Sequence, residues 1–426
     1  MNPRIAQIKT QAETSLVAAL ASRADSSKTP FALARRRAAD LFAEKGLPHR
    51  RVEAWHYTDL RNLMREAWPL AERAAPAKVI ASEGLRVTIE DGVCTIAPSA
   101  LPAGLSIRPL RDALHDASAD FIATLFPDAG ADDAAVALNA GLARDGVVIE
   151  VAAGANIAAP LEITFTTSAG EPRSEVSRCL LVAGGGSSIT IVETHISAAR
   201  VQRNSALVCN LADDAHVDHI FMSTRAAPEH HISTLIAELG ARANFQSFAF
   251  VSGGELLRRQ CFIRQTGEYV KIGLRGASLL RGKQHADTTL VIDHAVPHGE
   301  SRELFKHIVM DEATGVYQGK VLVRPHAQKT DGGMKSQALL LSDGAAMYNK
   351  PELEIFADDV VCGHGATIGQ LDDDQLFYLM SRGLPKSLAE AMLIEAFARE
   401  AIEFIANDEL RTRCEVALRD WLEARA

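Results

Sequence analysis

The chain has 426 residues, 47% of them hydrophobic and 23% charged, the profile of a folded protein and not of a disordered one. A formal net charge of -9 argues against a nucleic-acid phosphate backbone as partner, because such binding draws its affinity from dense lysine and arginine surfaces. At this length two or three structural regions are expected, unless one of them is an elongated repeat that grows coil by coil.

The first residues, MNPRIAQIKTQAETSL, show neither a charged start followed by an apolar stretch nor a cleavage site, and no apolar run is long enough to span a bilayer. The expectation is a cytoplasmic protein with no membrane partner. Six cysteines, Cys94, Cys179, Cys209, Cys261, Cys362 and Cys414, are scattered without a Cys-x-x-Cys pair. This fits reduced thiols, with no disulfide framework and no self-contained four-cysteine metal site.

Helical spacing of Ala, Leu, Glu and Arg predicts helices over Ile5–Ala21 and Phe31–Ala43, separated by the breaker Ser26-Ser27-Lys28-Thr29-Pro30 and stopped by Gly46 and Pro48. A third helix is predicted near Asp59–Trp68. The basic run Arg35-Arg36-Arg37 falls in the second helix and reads as a solvated face. Residues 1–145 are thus expected to be mainly helical, with a few short strands.

Over 146–371 the pattern changes to short strands, as where Leu161, Ile163 and Phe165 alternate with Glu162 and Thr164, or Val270, Ile272 and Leu274 with Lys271 and Gly273. Turn signals recur at Gly184-Gly185-Gly186, Gly253-Gly254, Thr266-Gly267, Arg281-Gly282, Pro297-His298-Gly299 and Thr314-Gly315. So many short strands cannot form one flat sheet without long exposed edges, which leaves a sandwich, a propeller or a β-solenoid. In 372–426 helices return. Asp372 is placed to cap a helix that stops at Gly383, Ser387 with Glu390 reads as a capping box, and Asp408 is placed to cap a last helix reaching Trp421.

Little in this chain carries catalytic chemistry. Gly184-Gly185-Gly186-Ser187-Ser188 lacks the lysine and the following helix of a phosphate loop and reads as a turn, so the chain alone is expected neither to bind nor to hydrolyse a nucleotide. His216 with His219, the pair His230-His231, and His294 with His298 are not spaced on a helix to share one ion, and read as polar strand or loop residues. Asp213-Asp214 and Asp372-Asp373-Asp374 read as loop and helix-start residues. No Ser/His/Asp set or carboxylate pair stands out, and no enzyme activity is expected.

The best chemical candidate is Cys362-Gly363-His364. On an extended strand Cys362 and His364 share a face, and thiolate and imidazole are both good ligands for iron or zinc. The plain alternative is a packed thiol beside a hydrogen-bonded histidine. Upstream, the aliphatic residues of Leu353-Glu354-Ile355-Phe356 fall on odd positions, so Glu354, Asp358, Cys362 and His364 are expected to look outward.

Three separated blocks resemble the SufB/SufD family of iron–sulfur cluster assembly proteins. They are GLPHRRVEAWHYTDL (Gly46–Leu60), ALNAGLARDGVVIEV (Ala137–Val151) and a long stretch from His307 to Gly383 that includes GKVLVRPHAQKTDGG and VVCGHGATIGQ. The Cys-Gly-His-Gly-Ala segment is similar to the SufD branch. Gly363 and Gly365 stand where the SufB branch typically carries Lys and Glu, and Gly332-Gly333-Met334-Lys335-Ser336 departs from the Asn-rich continuation usual in the family.

The resemblance implies a right-handed parallel β-helix core flanked by N-terminal and C-terminal helical regions. It implies a scaffold subunit of the SUF machinery that pairs with a SufB-like subunit through the β-helix and carries a SufC-like ABC ATPase on its C-terminal helices. An isolated chain that forms a homodimer also fits. It further implies a transient iron–sulfur cluster, or iron, shared with the partner, with Cys362 and His364 as candidate ligands. Two other readings stay open: a purely structural subunit that ligates nothing, and a β-helix enzyme acting on polysaccharides.

Overall fold

The computed structural model of the chain describes residues 9–71, 84–97, 100–115, 117–224 and 229–425. Helix α1 (Gln11–Ser22) starts at a reciprocal cap, in which the Glu13 N–H donates to the Thr10 hydroxyl and the Thr10 N–H donates to the Glu13 carboxylate. The predicted helical residues before position 9 lie outside the described residues. Helix α2 (Pro30–Lys45) has Thr29 as its cap and proline in its first turn, and ends where Gly46 takes a φ of 68°.

The third predicted helix is only one turn, α3 (Leu60–Leu63). Beyond it the backbone is taken up by side chains of the sheet. Gln202 accepts from the Trp68 N–H at 3.0 Å and donates to the Glu66 carbonyl at 2.7 Å, and Leu70 bridges to Ser174. Strands β1 (Leu85–Glu90), β2 (Val93–Ile96) and β3 (Leu105–Pro109) and helices α4 (Leu110–Ala113), α5 (Ala119–Leu125) and α6 (Ala134–Leu142) complete this part.

The remainder is a parallel β-solenoid of about eight turns, followed by helices. Its strands are β4 (Val147–Val151), β5 (Asn156–Thr167), β6 (Arg173–Ala183), β7 (Ser188–Ser197), β8 (Val201–Leu211), β9 (His216–Ser223), β10 (Glu229–Leu239) and β11 (Asn244–Val251). They continue as β12 (Leu256–Gln265), β13 (Lys271–Leu280), β14 (His285–His294), β15 (Glu300–Val309), β16 (Thr314–Val323), β17 (Asp331–Leu340), β18 (Ala346–Ile355) and β19 (Val361–Gly369).

Even strands stack into one sheet from β4 to β18 and odd strands into the other from β5 to β19. At the start the ladders are closed by antiparallel pairing, β3 on β4 and β2 on β1. Between an even strand and the following odd one, most coils turn through a residue with positive φ: Gly154, Gly186, Asp214, Arg242, His298 and Lys329 among them. Their side chains stack up one edge as partners, Asp214 with Arg242 at 2.7 Å and Lys329 with Asp359.

Alternation sends one set of side chains into the coil. Leu161, Ile163, Phe165, Cys179, Leu181, Leu207, Cys209, Leu235, Cys261, Ile263, Ile272 and Leu274 belong to one continuous apolar cluster. The other side of the lumen is polar. Arg203 lies between Glu175 at 3.1 Å and Glu229 at 2.6 Å, His231 meets Ser205 at 2.8 Å, and His219 meets Glu193 and Ser247, each at 3.0 Å. His294 bonds Gln265 at 2.8 Å and Ser301 at 3.2 Å. The buried histidines of the candidate metal pairs are therefore polar strand residues, and among the described residues no group of three or more His, Cys, Asp or Glu could hold a metal ion.

The outer faces are covered unequally. The even-strand sheet receives the N-terminal helices, where Leu16, Phe42, Leu47, Trp55 and Leu138 pack with Ile232 and Leu256, and Leu110, Leu125 and Val136 with Val148, Leu180, Val208 and Ile236. The odd-strand sheet receives the C-terminal helices. Ile394, Ala398 and Ile402 of α8 (Lys386–Ile402) and Leu410, Cys414, Leu418 and Trp421 of α9 (Asp408–Glu423) pack on Val192, Ile220, Phe248, Phe250, Leu279 and Ile308.

The C-terminal caps differ in detail from expectation. Asp372 caps α7 (Asp373–Ser381) as predicted, but the last helix is capped by Asn407, one residue earlier than expected. α8 has no side-chain cap, because its cap position is Pro385, which carries no side-chain acceptor, and Ser387 lies inside the first turn; Glu390 pairs with Arg425 at 2.9 Å.

The Gly46–Leu60 block runs across the even-strand sheet as a strap. Trp55 is 1% exposed, its indole N–H donates to Asp133 at 2.7 Å, and the Arg258 guanidinium lies 3.8 Å from its ring. Arg258 also pairs with Asp287, which Thr58 bonds, and both Arg258 and Gln318 donate to the Ala54 carbonyl. Farther along, Glu53 meets Lys350 at 2.9 Å and Tyr57 stacks on Tyr348 of the last even strand at 4.9 Å.

Two predictions follow from these contacts. Trp55→Ala removes a buried ring and leaves Asp133 and Arg258 short of partners, so it is expected to cost about 3–5 kcal/mol by denaturant unfolding; a loss under about 1 kcal/mol would contradict the strap as a structural clamp. The lumen is also expected to make the fold acid-labile. Burial holds His195 and His231 well below the usual histidine range, His294 at about 4 and His307 at about 3. Below about pH 6.5 the unfolded chain takes up protons that these folded histidines refuse, so their contribution to stability is full above that pH and falls beneath it, by up to about 1.4 kcal/mol per pH unit for each histidine. Glu303, pushed up to about 8 by burial, opposes this but is outnumbered. Melting temperatures between pH 7.5 and 4.5 check the sign, and an unchanged value at pH 5 would refute it.

Candidate functional site

Strand β19 places Cys362 and His364 on the last coil. It is paired only along β17, as β18 is only along β16, so both terminal strands leave a backbone edge open. Exposed apolar side chains line this end: Val361 at 73%, Phe356 at 60% and Ile368 at 49%.

Cys362 registers against Gly332, and through it against Ser301, while His364 registers against Met334 and through it against Glu303. Gly332, Ser301, Met334 and Glu303 are all buried. Both candidate residues therefore occupy the inward phase of the strand, contrary to the outward orientation expected from Leu353 and Ile355. Odd positions do face inward on β18, where Met347 packs in the core, and Glu354 does look outward to Lys320 at 2.6 Å. The corner then spends Phe356–Val360 with Ala357 and Val360 both turned to the core, and the parity changes before Cys362.

The two side chains differ in setting. Cys362 is half-buried against the core, with its Sγ beside Gly332 at 3.4 Å from where a Cβ would stand. Its thiol pKa is raised, chiefly by burial and further by Asp331 and Glu303, against the lowering effects of the Gly332 backbone and Arg302. At neutral pH it is a thiol, and a bound metal would have to displace its proton. His364 is exposed, and among the described residues no further coil stacks above it. Successive same-face residues of a strand lie about 7 Å apart, so both side chains can reach one metal centre between them. Two ligands leave a four-coordinate iron or a cluster incomplete.

Gly363 and Gly365 point the other way, into open space. Glu303 was not singled out from sequence. Its interior phase, between the buried Ser301 and Phe305, becomes visible only once the strand register is known. Among the described residues no helix is long and apolar enough to cross a membrane.

With this geometry in view, comparison with known proteins identifies the relationship. The SUF system FeS cluster assembly SufBD core domain matches residues 165–397, and the SufBD protein N-terminal region matches residues 17–163. The chain belongs to the SufBD family. It is 31% identical to the iron–sulfur cluster assembly protein SufD of Escherichia coli over 86% of this chain and 87% of that protein. A SufBD family iron–sulfur cluster assembly protein of Synechocystis is 30% identical over 89% and 88%. The chloroplastic protein ABCI7 of Arabidopsis thaliana is 29% identical over 96% and 89%. The SufBD family is a component of SUF iron–sulfur cluster assembly.

The different settings predict different stability costs. His364→Ala is expected to change unfolding free energy by no more than about 0.5 kcal/mol, as for an exposed side chain. Cys362→Gly, which strips a side chain packed on the core, is expected to cost about 1 kcal/mol or more. Equal costs in chemical denaturation would contradict the inward packing of Cys362.

Proposed function

We propose that this SufBD family protein is a scaffold subunit of the SUF complex that joins a SufB-like subunit at its open solenoid end and contributes Cys362 and His364 to a nascent iron–sulfur cluster. The observation that carries this reading is the coincidence of three features on one coil: unpaired backbone edges, exposed apolar side chains, and an incomplete pair of metal ligands. A partner strand added to either edge satisfies the free N–H and C=O groups. It also brings the missing ligands next to Cys362 and His364. The cluster is cargo, held by ligands from two chains and released when they part.

A SufC-like ATPase is assigned to the C-terminal helices. α7 buries none of its residues on the solenoid, and Phe377 at 74%, Tyr378 at 57% and Met380 at 42% exposure form an apolar surface with Leu388 and Met392 of α8. This chain is proposed to bind no nucleotide itself. α8 and α9 are also part of the fold, since they cover the odd-strand sheet, so deleting the whole tail exposes apolar sheet surface and is a poor test of docking.

Two measurements test the reading. In a purified complex with SufB-like and SufC-like subunits, His364→Ala is expected to leave assembly intact and to lower bound iron and sulfide several-fold; wild-type cluster content in the assembled variant would leave only a structural role for this chain. Phe377→Asp is expected to weaken co-purification of the ATPase subunit at least tenfold with the melting temperature unchanged. Undiminished recovery of the ATPase with Phe377→Asp would remove α7 from the docking surface.

A further inference from the structure

A cavity of about 210 Å³ lies between α2, α6 and the Phe126–Pro127–Asp128 segment. Most of its lining is apolar, supplied by Ala34, Ala38, Leu41, Phe126, Val136 and Ala140. Its one buried charged member is Arg178 of β6, which points out of the solenoid towards the helices and is 1% exposed. The guanidinium donates from Nε to the Leu125 carbonyl at 2.9 Å and from Nη1 to Asn139 Oδ1 at 3.1 Å, and it lies 4.7 Å from the centre of the Phe126 ring.

Each of these partners is neutral, and among the described residues no carboxylate pairs with Arg178. Burial lowers its pKa to about 9, which still leaves it a cation at neutral pH. A buried charge without a counter-ion is costly, and neutral acceptors offset only part of that cost. A second cation, Arg37, lines the same cavity from α2, whereas its neighbours in the basic run are engaged elsewhere, Arg35 with the Gly141 carbonyl and Arg36 with the Ser27 carbonyl. The one carboxylate in the lining, Asp128, is exposed at the rim.

We propose that this cavity binds a small organic monoanion, a carboxylate with a short apolar body, with its charge on Arg178 and Arg37 and its body against Phe126 and the alanines of α2 and α6. A single buried positive charge matches a single negative one. The apolar walls offer nothing to replace the hydration of an inorganic phosphate. The volume, below the usual range of about 300–1,000 Å³ for drug-sized ligands, limits the body to a few carbons. An occupant bridges α2, α6 and β6, so binding stabilises the seating of the N-terminal helices on the solenoid. This proposal stands apart from the cluster site and does not depend on it.

The test uses the full chain, with hexanoate as the probe, and hexanamide and inorganic phosphate as controls, read by ligand-observed NMR and by thermal shift. Hexanoate is expected to bind saturably and raise the melting temperature, hexanamide to bind at least tenfold more weakly, and phosphate not to compete. Ala38→Phe, which fills the cavity without touching the bonds of Arg178, is expected to abolish hexanoate binding, and Arg37→Ala at the exposed side to weaken it several-fold. Equal affinity for hexanoate and hexanamide, displacement by phosphate, undiminished binding to both variants, or no binding to the wild-type chain would each overturn the proposal.

Discussion

Each coil of the solenoid satisfies its backbone by pairing with the coil before it, and that ladder has to end somewhere. At the N-terminal end the problem is solved within the chain, since β2 and β3 pair antiparallel and close the first coils. At the C-terminal end β18 and β19 keep an unpaired edge. A row of unsatisfied N–H and C=O groups beside exposed Val361, Phe356 and Ile368 is a template for another strand. Cys362 and His364 sit on that edge. The same constraint that stacks the coils thus leaves Cys362 and His364, the proposed ligands, at an edge open to a partner strand.

The two outer faces of the solenoid divide the remaining work. The even-strand sheet is covered by the N-terminal helices and by the strap around Trp55, which reaches from Asp133 and Arg258 to Tyr348 and Lys350 on the last even strand. The strap therefore steadies the terminal coil from outside, where no further coil supports it from above. The odd-strand sheet is covered by α8 and α9, while α7, which follows β19 directly, keeps its aromatic residues in solvent. Three residues separate the end of β19 at Gly369 from the start of α7 at Asp373, so the exposed aromatic surface of α7 lies next to the open solenoid edge in the chain.

The lumen departs from a purely aliphatic filling. One side is Leu, Ile, Val and Cys, and the other carries Arg203 between two glutamates and histidines held neutral by burial. The resulting polar bonds are directional, so they fix the register of one coil on the next more tightly than sliding aliphatic contacts. The cost appears at low pH, where the unfolded chain gains protons that the lumen excludes.

The sequence by itself determined the helix, strand, helix order, the alternation of Leu161, Ile163 and Phe165, the cap at Asp372 and the stop at Gly383, because each rests on local periodicity or on one residue's backbone preference. The matched blocks made the family legible, and residue chemistry alone singled out Cys362 and His364 as candidate ligands. Coil periodicity stayed hidden because the left-handed corner position is filled in turn by Gly, Asp, Arg, Tyr, His and Lys, so no single residue type marks it. The third helix failed because Gln202 and Ser174, more than a hundred residues away, claim the backbone around Trp68. Only the tertiary structure decided which way Cys362 points, since alternation fixes parity within a strand but not across a corner, and Ala357 and Val360 both turn inward there. Arg178 over its apolar cavity was likewise invisible, because a buried charge is defined by what packs around it and not by its neighbours in the chain.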